Sequence, residues 1–127
     1  MNRYRSLAVM VSLAVFVLAG AAVAVARQAQ GAKKGYVLVQ ADISDPARYA
    51  EYAKLAPAIV AKYGGTYLAR AGRTATLEGA PARSRVVVLE FPSFEQAQAF
   101  YNSPEYVAAR KVRAGAATAQ WVLVEGM

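Results

Sequence analysis

Between Arg85 and Ser93 the chain reads Arg-Val-Val-Val-Leu-Glu-Phe-Pro-Ser, and few folds can hold such a run. Successive β-branched apolar residues predict a strand that must be covered on at least one face, and only the helical patterns on either side of it can provide the cover. Pro92 ends the strand, because proline has no N–H to give to a ladder. Glu90 is the exception within it. A carboxylate inside such a strand is costly unless it is paired, solvated or put to use.

The neighbouring segments supply covers and partners. Tyr36 to Asp42 alternates, with Val37, Val39 and Ala41 on one side and Tyr36, Leu38, Gln40 and Asp42 on the other, which predicts a first strand with one aliphatic and one mixed face. Asp45-Pro46 predicts a helix start, the aspartate as N-cap and the proline in the first helical position. Tyr49, Tyr52, Ala53, Ala56, Ile59, Val60 and Tyr63 then recur at three- and four-residue spacing as one apolar stripe. Pro57 predicts a kink in that helix, and Gly64-Gly65 its left-handed end. Thr66 to Ala71 is a second strand, and Arg73 to Ser84 a loop with room for a short extended piece at Thr74 to Leu77. After the central run, Ser93 and Gln96 form a capping box for a helix that turns Phe94, Ala97, Phe100 and Tyr101 inward. Asn102-Ser103-Pro104 breaks this helix and restarts it toward Arg113, and Ala119 to Glu125 closes the domain as a fourth strand.

The order β-α-β-β-α-β predicts an α+β, ferredoxin-like fold: a four-stranded antiparallel sheet whose right-handed crossovers put the helices on one face. The other face would show Leu38, Leu68, Val86, Val88 and, on one reading of the last strand, Trp121. An uncovered apolar face predicts a partner. A two-fold homodimer with facing sheets, a dimeric α/β barrel, covers it and leaves a cup for a ligand.

Ahead of the folded part, Met1 to Arg5 carries two arginines, Leu7 to Val25 is uncharged, and Ala24-Val25-Ala26 is a small-x-small site. Residues 1–26 are therefore expected to be a signal peptide and 27–34 a linker, leaving the domain at 35–127. The uncharged run is close to the roughly 20 residues that cross a bilayer, so an uncleaved anchor over residues 7–25 is the alternative, and only then is the membrane a partner. Either way the remainder is expected outside the cytoplasm, periplasmic or extracellular. Setting aside Arg3 and Arg5, the 13 remaining basic residues exceed the 8 acidic ones by five. That excess is a scattered basic surface or an attraction for anions, and nucleic acid is not an expected partner of an exported chain. With no cysteine and no histidine, disulfides, thiol nucleophiles, Ser-His catalysis and imidazole or thiolate metal sites are all excluded. No Asp-rich loop offers a carboxylate-only metal site, and no cofactor is implied.

Four segments, Tyr63-Gly64-Gly65-Thr66-Tyr67-Leu68-Ala69-Arg70, Glu90-Phe91-Pro92-Ser93, Tyr101-Asn102-Ser103-Pro104-Glu105-Tyr106 and Val124-Glu125-Gly126, resemble the family called domain of unknown function 1330. The resemblance spans Gly35 to Met127. It implies membership of the dimeric α/β-barrel superfamily, which includes cofactor-free monooxygenases, isomerases and dehalogenating or stress-related proteins. The chain departs from the family pattern after Arg70, where Ala71-Gly72 replaces a Gly-Gly pair, and in its export signal.

Parity places Tyr36, Gln40 and Asp42 of the first strand, Arg70 of the second, Glu90 of the third and, on the same reading, Trp121 of the fourth on the uncovered face. In a dimer cup Glu90 would act as general acid or base, Arg70 would hold an anionic or enolate oxygen, and Tyr36 or Gln40 would orient the ligand. The plainer alternative is a cross-strand ion pair between Arg70 and Glu90. Asn102 and Ser103, at a helix break, offer an amide, a hydroxyl and free N–H groups to a small anion, or serve as a cap. Tyr49 and Tyr52 read as core, and Arg110, Lys111 and Arg113 as a basic helix end. Two functions follow. One is an exported dimeric domain that binds a small hydrophobic or carbonyl-bearing molecule. The other is a cofactor-independent isomerase or monooxygenase using Glu90 and Arg70. An RNA-binding reading of this topology fails, since the first and third strands lack central stacking aromatics.

Overall fold

The computed structural model describes residues 31–127. The expected signal segment, 1–26, and residues 27–30 of the expected linker lie outside the described residues. β3 (Arg85–Phe91) is an inner strand, flanked by β2 (Thr66–Arg70) and β1 (Gly35–Ile43), with β4 (Ala117–Glu125) on the far side of β1. Each neighbouring pair is antiparallel. α1 (Pro46–Lys62) joins β1 to β2, and α2 (Phe94–Asn102) and α3 (Pro104–Val112) join β3 to β4. The β-α-β-β-α-α-β order is the ferredoxin-like one, with its second helix divided in two.

Local chemistry explains the boundaries. The Asp45 carboxylate accepts from the Arg48 N–H at 3.1 Å, and α1 continues through Pro57. Its end is set by Gly64, which holds a φ of +78° that side-chain-bearing residues rarely adopt. Gly65 follows for a different reason: a Cβ there would lie 2.6 Å from Phe91 Cε1 and 2.7 Å from Val60 Cγ1. Ser93 caps α2 by accepting from the Gln96 N–H at 3.0 Å. Ser103 closes α2 and opens α3 at once, donating to the Phe100 carbonyl at 2.8 Å and accepting from the Tyr106 N–H at 3.1 Å.

The core lies between the sheet and the helices. Val37, Val39 and Ala41 of β1 and Val87, Leu89 and Phe91 of β3 meet Tyr49, Tyr52, Ala56 and Val60 of α1, Ala97 and Phe100 of α2, and Tyr106 and Ala109 of α3. Phe91 stacks on Phe100 at 5.0 Å between ring centroids, and Phe100 packs on Tyr106 at 4.3 Å. Each such fully buried side chain contributes about 1.5–3 kcal/mol of transfer free energy. The Tyr106 hydroxyl meets that of Tyr52 at 2.6 Å, so neither phenol is left unpaired.

Two expectations are corrected. Residues 74–77 form no strand; the segment from Gly72 to Ser84 is loop throughout. β2 is also not a regular strand, since its register on β3 shifts between Tyr67 and Ala69, the mark of a bulge with Leu68 as the extra residue.

Candidate functional site

That bulge rearranges the expected site. In β2, Thr66 pairs with Glu90 and Tyr67 with Leu89, but after the shift Ala69 pairs with Val88 and Arg70 with Val87. Side chains alternate with a period of two, so one extra residue carries everything after it to the opposite face. Arg70 therefore lies with Val87 on the helix-covered side, where one of its N–H groups donates to the Ala53 carbonyl at 3.1 Å. Glu90 stands on the open face. The expected Glu90–Arg70 pair, whether catalytic or a simple ion pair, does not form, because the sheet separates the two.

Trp121 is corrected too, by its pairing in a regular ladder. It pairs with Val39 of β1, and its ring lies 5.9 Å from Tyr101 and 5.7 Å from Tyr106, on the helix side. The open-face residues of β4 are instead Thr118, Gln120, Val122 and Val124, opposite Asp42, Gln40, Leu38 and Tyr36. Tyr36 sits in register with Glu90, and the neighbouring carboxylate raises the phenol above its ordinary pKa. Gln40 and Asp42 remain on this face but are occupied by the loop before β3. The Gln40 side-chain carbonyl accepts from the Arg83 N–H at 3.2 Å. Asp42 accepts from the Ser84 N–H at 3.0 Å and from the Arg83 guanidinium at 2.9 Å. The Ser84 bond first, and Arg83 after it, hold the Asp42 carboxyl below its usual range. The open face is thus an apolar surface with the Tyr36–Glu90 pair at one end and a pinned loop at the other.

The larger concavity is on the helix side. Between α2 and the edge strand β4 lies a cleft of about 320 Å³, walled by Phe94, Tyr101, Trp121 and Leu123. Gln98 and Asn102, one helical turn apart on α2, are its polar lining residues. Of the expected ligand residues, Asn102 and Trp121 meet here. Ser103 does not join them; it is 4% exposed and committed to its two helix ends. The volume lies at the lower edge of the range typical of small-molecule sites, and apolar walls with a few polar groups are their usual make-up.

Behind the cleft walls the basic residues of the α3 end stack on aromatic rings. Arg110 lies 4.1 Å from the Tyr101 centroid, and Arg113 lies 5.1 Å from Tyr52 and 5.3 Å from Trp121. Burial pushes the Tyr52 and Tyr106 phenols above their ordinary values, so both stay protonated near neutral pH. These groups can donate hydrogen bonds, and the amides of the cleft can hold a carbonyl. Among the described residues, no group of three or more His, Cys, Asp or Glu is placed to hold a metal ion, and no helix is long and apolar enough to cross a membrane.

The strand order, register and helix placement define a ferredoxin-like α+β domain. The chain belongs to the family described as Domain of unknown function (DUF1330), whose model matches residues 34–127. A comparison with curated protein sequences returned no match. Among solved structures, the chain is similar to a protein of unknown function from Rhodopseudomonas palustris, with 18% identity, a TM-score of 0.59, and coverage of 81% of this chain and 92% of the other. A dimeric protein of unknown function and ferredoxin-like fold from Bacteroides fragilis matches with 17% identity and a TM-score of 0.50 over 72% of this chain and 95% of the other. SnoaB, a cofactor-independent oxygenase from Streptomyces nogalater, matches with 12% identity and a TM-score of 0.52 over 76% and 95%. At these identities the likeness is one of fold.

Proposed function

We propose that this chain is an exported homodimeric domain that binds a small, largely apolar, carbonyl-bearing molecule in the cleft between α2 and β4. The observation that carries the reading is the cleft itself: aromatic and aliphatic walls with the Gln98 and Asn102 amides at hand to receive a carbonyl. Support for the dimer comes from the open face, where Leu38, Leu68, Val122 and Val124 remain 43–54% exposed, and from the dimeric ferredoxin-like relative of known structure. Support for export is the pair of arginines ahead of the uncharged run from Leu7 to Val25.

The single tryptophan of the chain, Trp121, lines the cleft, so its fluorescence reports occupancy. Molecules extracted from the purified dimer and identified by mass spectrometry should shift Trp121 emission when added back. Gln98→Leu with Asn102→Leu should weaken that response. A ligand that binds without moving Trp121 emission, or that ignores the double variant, places the site elsewhere.

A second reading, a cofactor-independent oxygenase or isomerase, has the fold likeness to SnoaB behind it. Glu90 and Arg70 cannot share one substrate atom across the sheet, so such chemistry would have to use the groups around the cleft. Turnover of the extracted molecule in air, without added cofactor, is the result that would favour it.

A further inference from the structure

Two arginines stand side by side under α1 without a carboxylate side chain to neutralise them. Arg70 is in register with Val87, and Arg85 lies two residues before Val87 on β3, so their side chains leave adjacent strands as diagonal neighbours on the same face. Both line a narrow cavity of about 20 Å³, together with Tyr49 and Tyr67. The Arg70 guanidinium lies 4.8 Å from the Tyr67 centroid and that of Arg85 lies 5.3 Å from Tyr49. The ion pairs among the described residues are Lys54–Glu51, Lys62–Glu105 and Arg83–Asp42, none of which involves either group. The Arg85 Nε is buried and meets no acceptor within the protein. A buried donor left unmatched and two like charges lining one cavity are each unfavourable, and one bound anion would relieve both.

We propose that Arg70 and Arg85 form a binding site for a small monocarboxylate, which enters past the exposed Arg70 with its carboxylate turned toward Arg85. The cavity has room for about one water-sized group, which suits one carboxylate oxygen, with the rest of the acid lying outside it beside Arg70. Guanidinium forks match the planar carboxylate, and the Tyr49 and Tyr67 rings offer apolar flanks to the rest of the acid. Burial holds the Tyr67 phenol above its ordinary pKa even though both arginines pull it down, so a protonated hydroxyl is present at neutral pH. This site is distinct from the α2–β4 cleft, with which it shares only Trp121 as a lining residue, and it stands or falls independently.

The test is calorimetric titration of the full chain with acetate, benzoate, neutral benzamide and inorganic phosphate. Benzoate is expected to bind at least tenfold more tightly than benzamide, and phosphate more weakly than either carboxylate. Arg70→Gln, at an exposed position, should weaken benzoate roughly tenfold to a hundredfold with the melting temperature kept, as loss of a charge-assisted bond requires. Arg85→Lys, which keeps the charge and loses the fork, should also weaken it about tenfold. Equal affinity for benzamide, failure of both carboxylates to bind, tighter binding of phosphate, or indifference to both variants would overturn the proposal.

Discussion

Substituting Gly65 by alanine tests whether the most recognisable motif of the chain, Tyr63 to Arg70, is there for packing. The added Cβ would meet Phe91 Cε1 at 2.6 Å, Val60 Cγ1 at 2.7 Å and Phe91 Cζ at 2.8 Å, all closer than such contacts ordinarily come. Neither neighbour has space to withdraw into, since Phe91 is fully buried and Val60 is 2% exposed. Phe91 is further held by its stacking on Phe100. Overpacking of this kind costs about 1–3 kcal/mol, and each kcal/mol lowers the melting temperature by about 4–8 °C in a domain of this size. Urea unfolding followed by Trp121 fluorescence, at fixed protein concentration, should show a lower midpoint with an unchanged slope. Gly72→Ala is the control, because a Cβ at that position would meet no atom within 4 Å, and it should stay within about 0.5 kcal/mol of the parent. A Gly65→Ala midpoint as close to the parent as that control would refute the packing account and make the motif a functional candidate again.

Three further outcomes follow from the geometry. Tyr106→Phe removes one member of the buried 2.6 Å hydroxyl pair and strands the other, which should cost about 1–3 kcal/mol in chemical denaturation; an unchanged stability would mean that Tyr52 re-pairs freely. Leu38→Glu places a charge at the centre of the open apolar face and should give monomers by light scattering, whereas a parent protein that is already monomeric would defeat the facing-sheet dimer. The Glu105 carboxyl is drawn from 4.5 down to about 2 by hydrogen bonds from Lys62 first, then from its own backbone N–H and from Tyr63. A depressed folded-state pKa stabilises above the unfolded value and loses that contribution as pH falls through the folded one. Acid unfolding should therefore steepen between about 4.5 and about 2, and Glu105→Gln should flatten that limb.

The fold is legible in the sequence because its signals are local and mutually consistent. Asp45-Pro46, Ser93 and Ser103-Pro104 each carry a complete capping chemistry in a few residues, and the alternation of β1 names its buried face correctly as Val37, Val39 and Ala41. The site is less legible because it depends on parity, and parity fails silently. Nothing in Thr66-Tyr67-Leu68-Ala69-Arg70 marks Leu68 as a bulge, since no glycine sits there and the residue on either side is as compatible with a regular strand. In β4, Trp121-Val122-Leu123-Val124 is apolar at every position, so alternation cannot say which face the tryptophan takes. Pairing with Val39 decides it, and that is a tertiary fact. Arg85 reads in the sequence as no more than the polar start of an apolar strand, although it shares the parity of Val87 and Leu89.

The misplaced parity also changes what dimerisation can do. A ligand held by Glu90 and Arg70 in a cup between two sheets would require two copies, so binding and assembly would be lost together. With Trp121, Asn102 and Gln98 around the α2–β4 cleft and Arg70 with Arg85 under α1, the polar groups available to ligands lie on the helix side of each protomer. Facing the open sheets against each other would bury Leu38, Val122 and Val124, and of these only Val122, on the edge strand, also borders a cavity, the α2–β4 cleft. Binding and assembly are then separable. A Leu38→Glu monomer should retain the Trp121 response to ligand and the affinity for benzoate within a few-fold, provided that it stays folded by circular dichroism. Loss of both in a folded monomer would place the ligand between the sheets after all, with the Tyr36–Glu90 pair as its only polar contact at that end of the face.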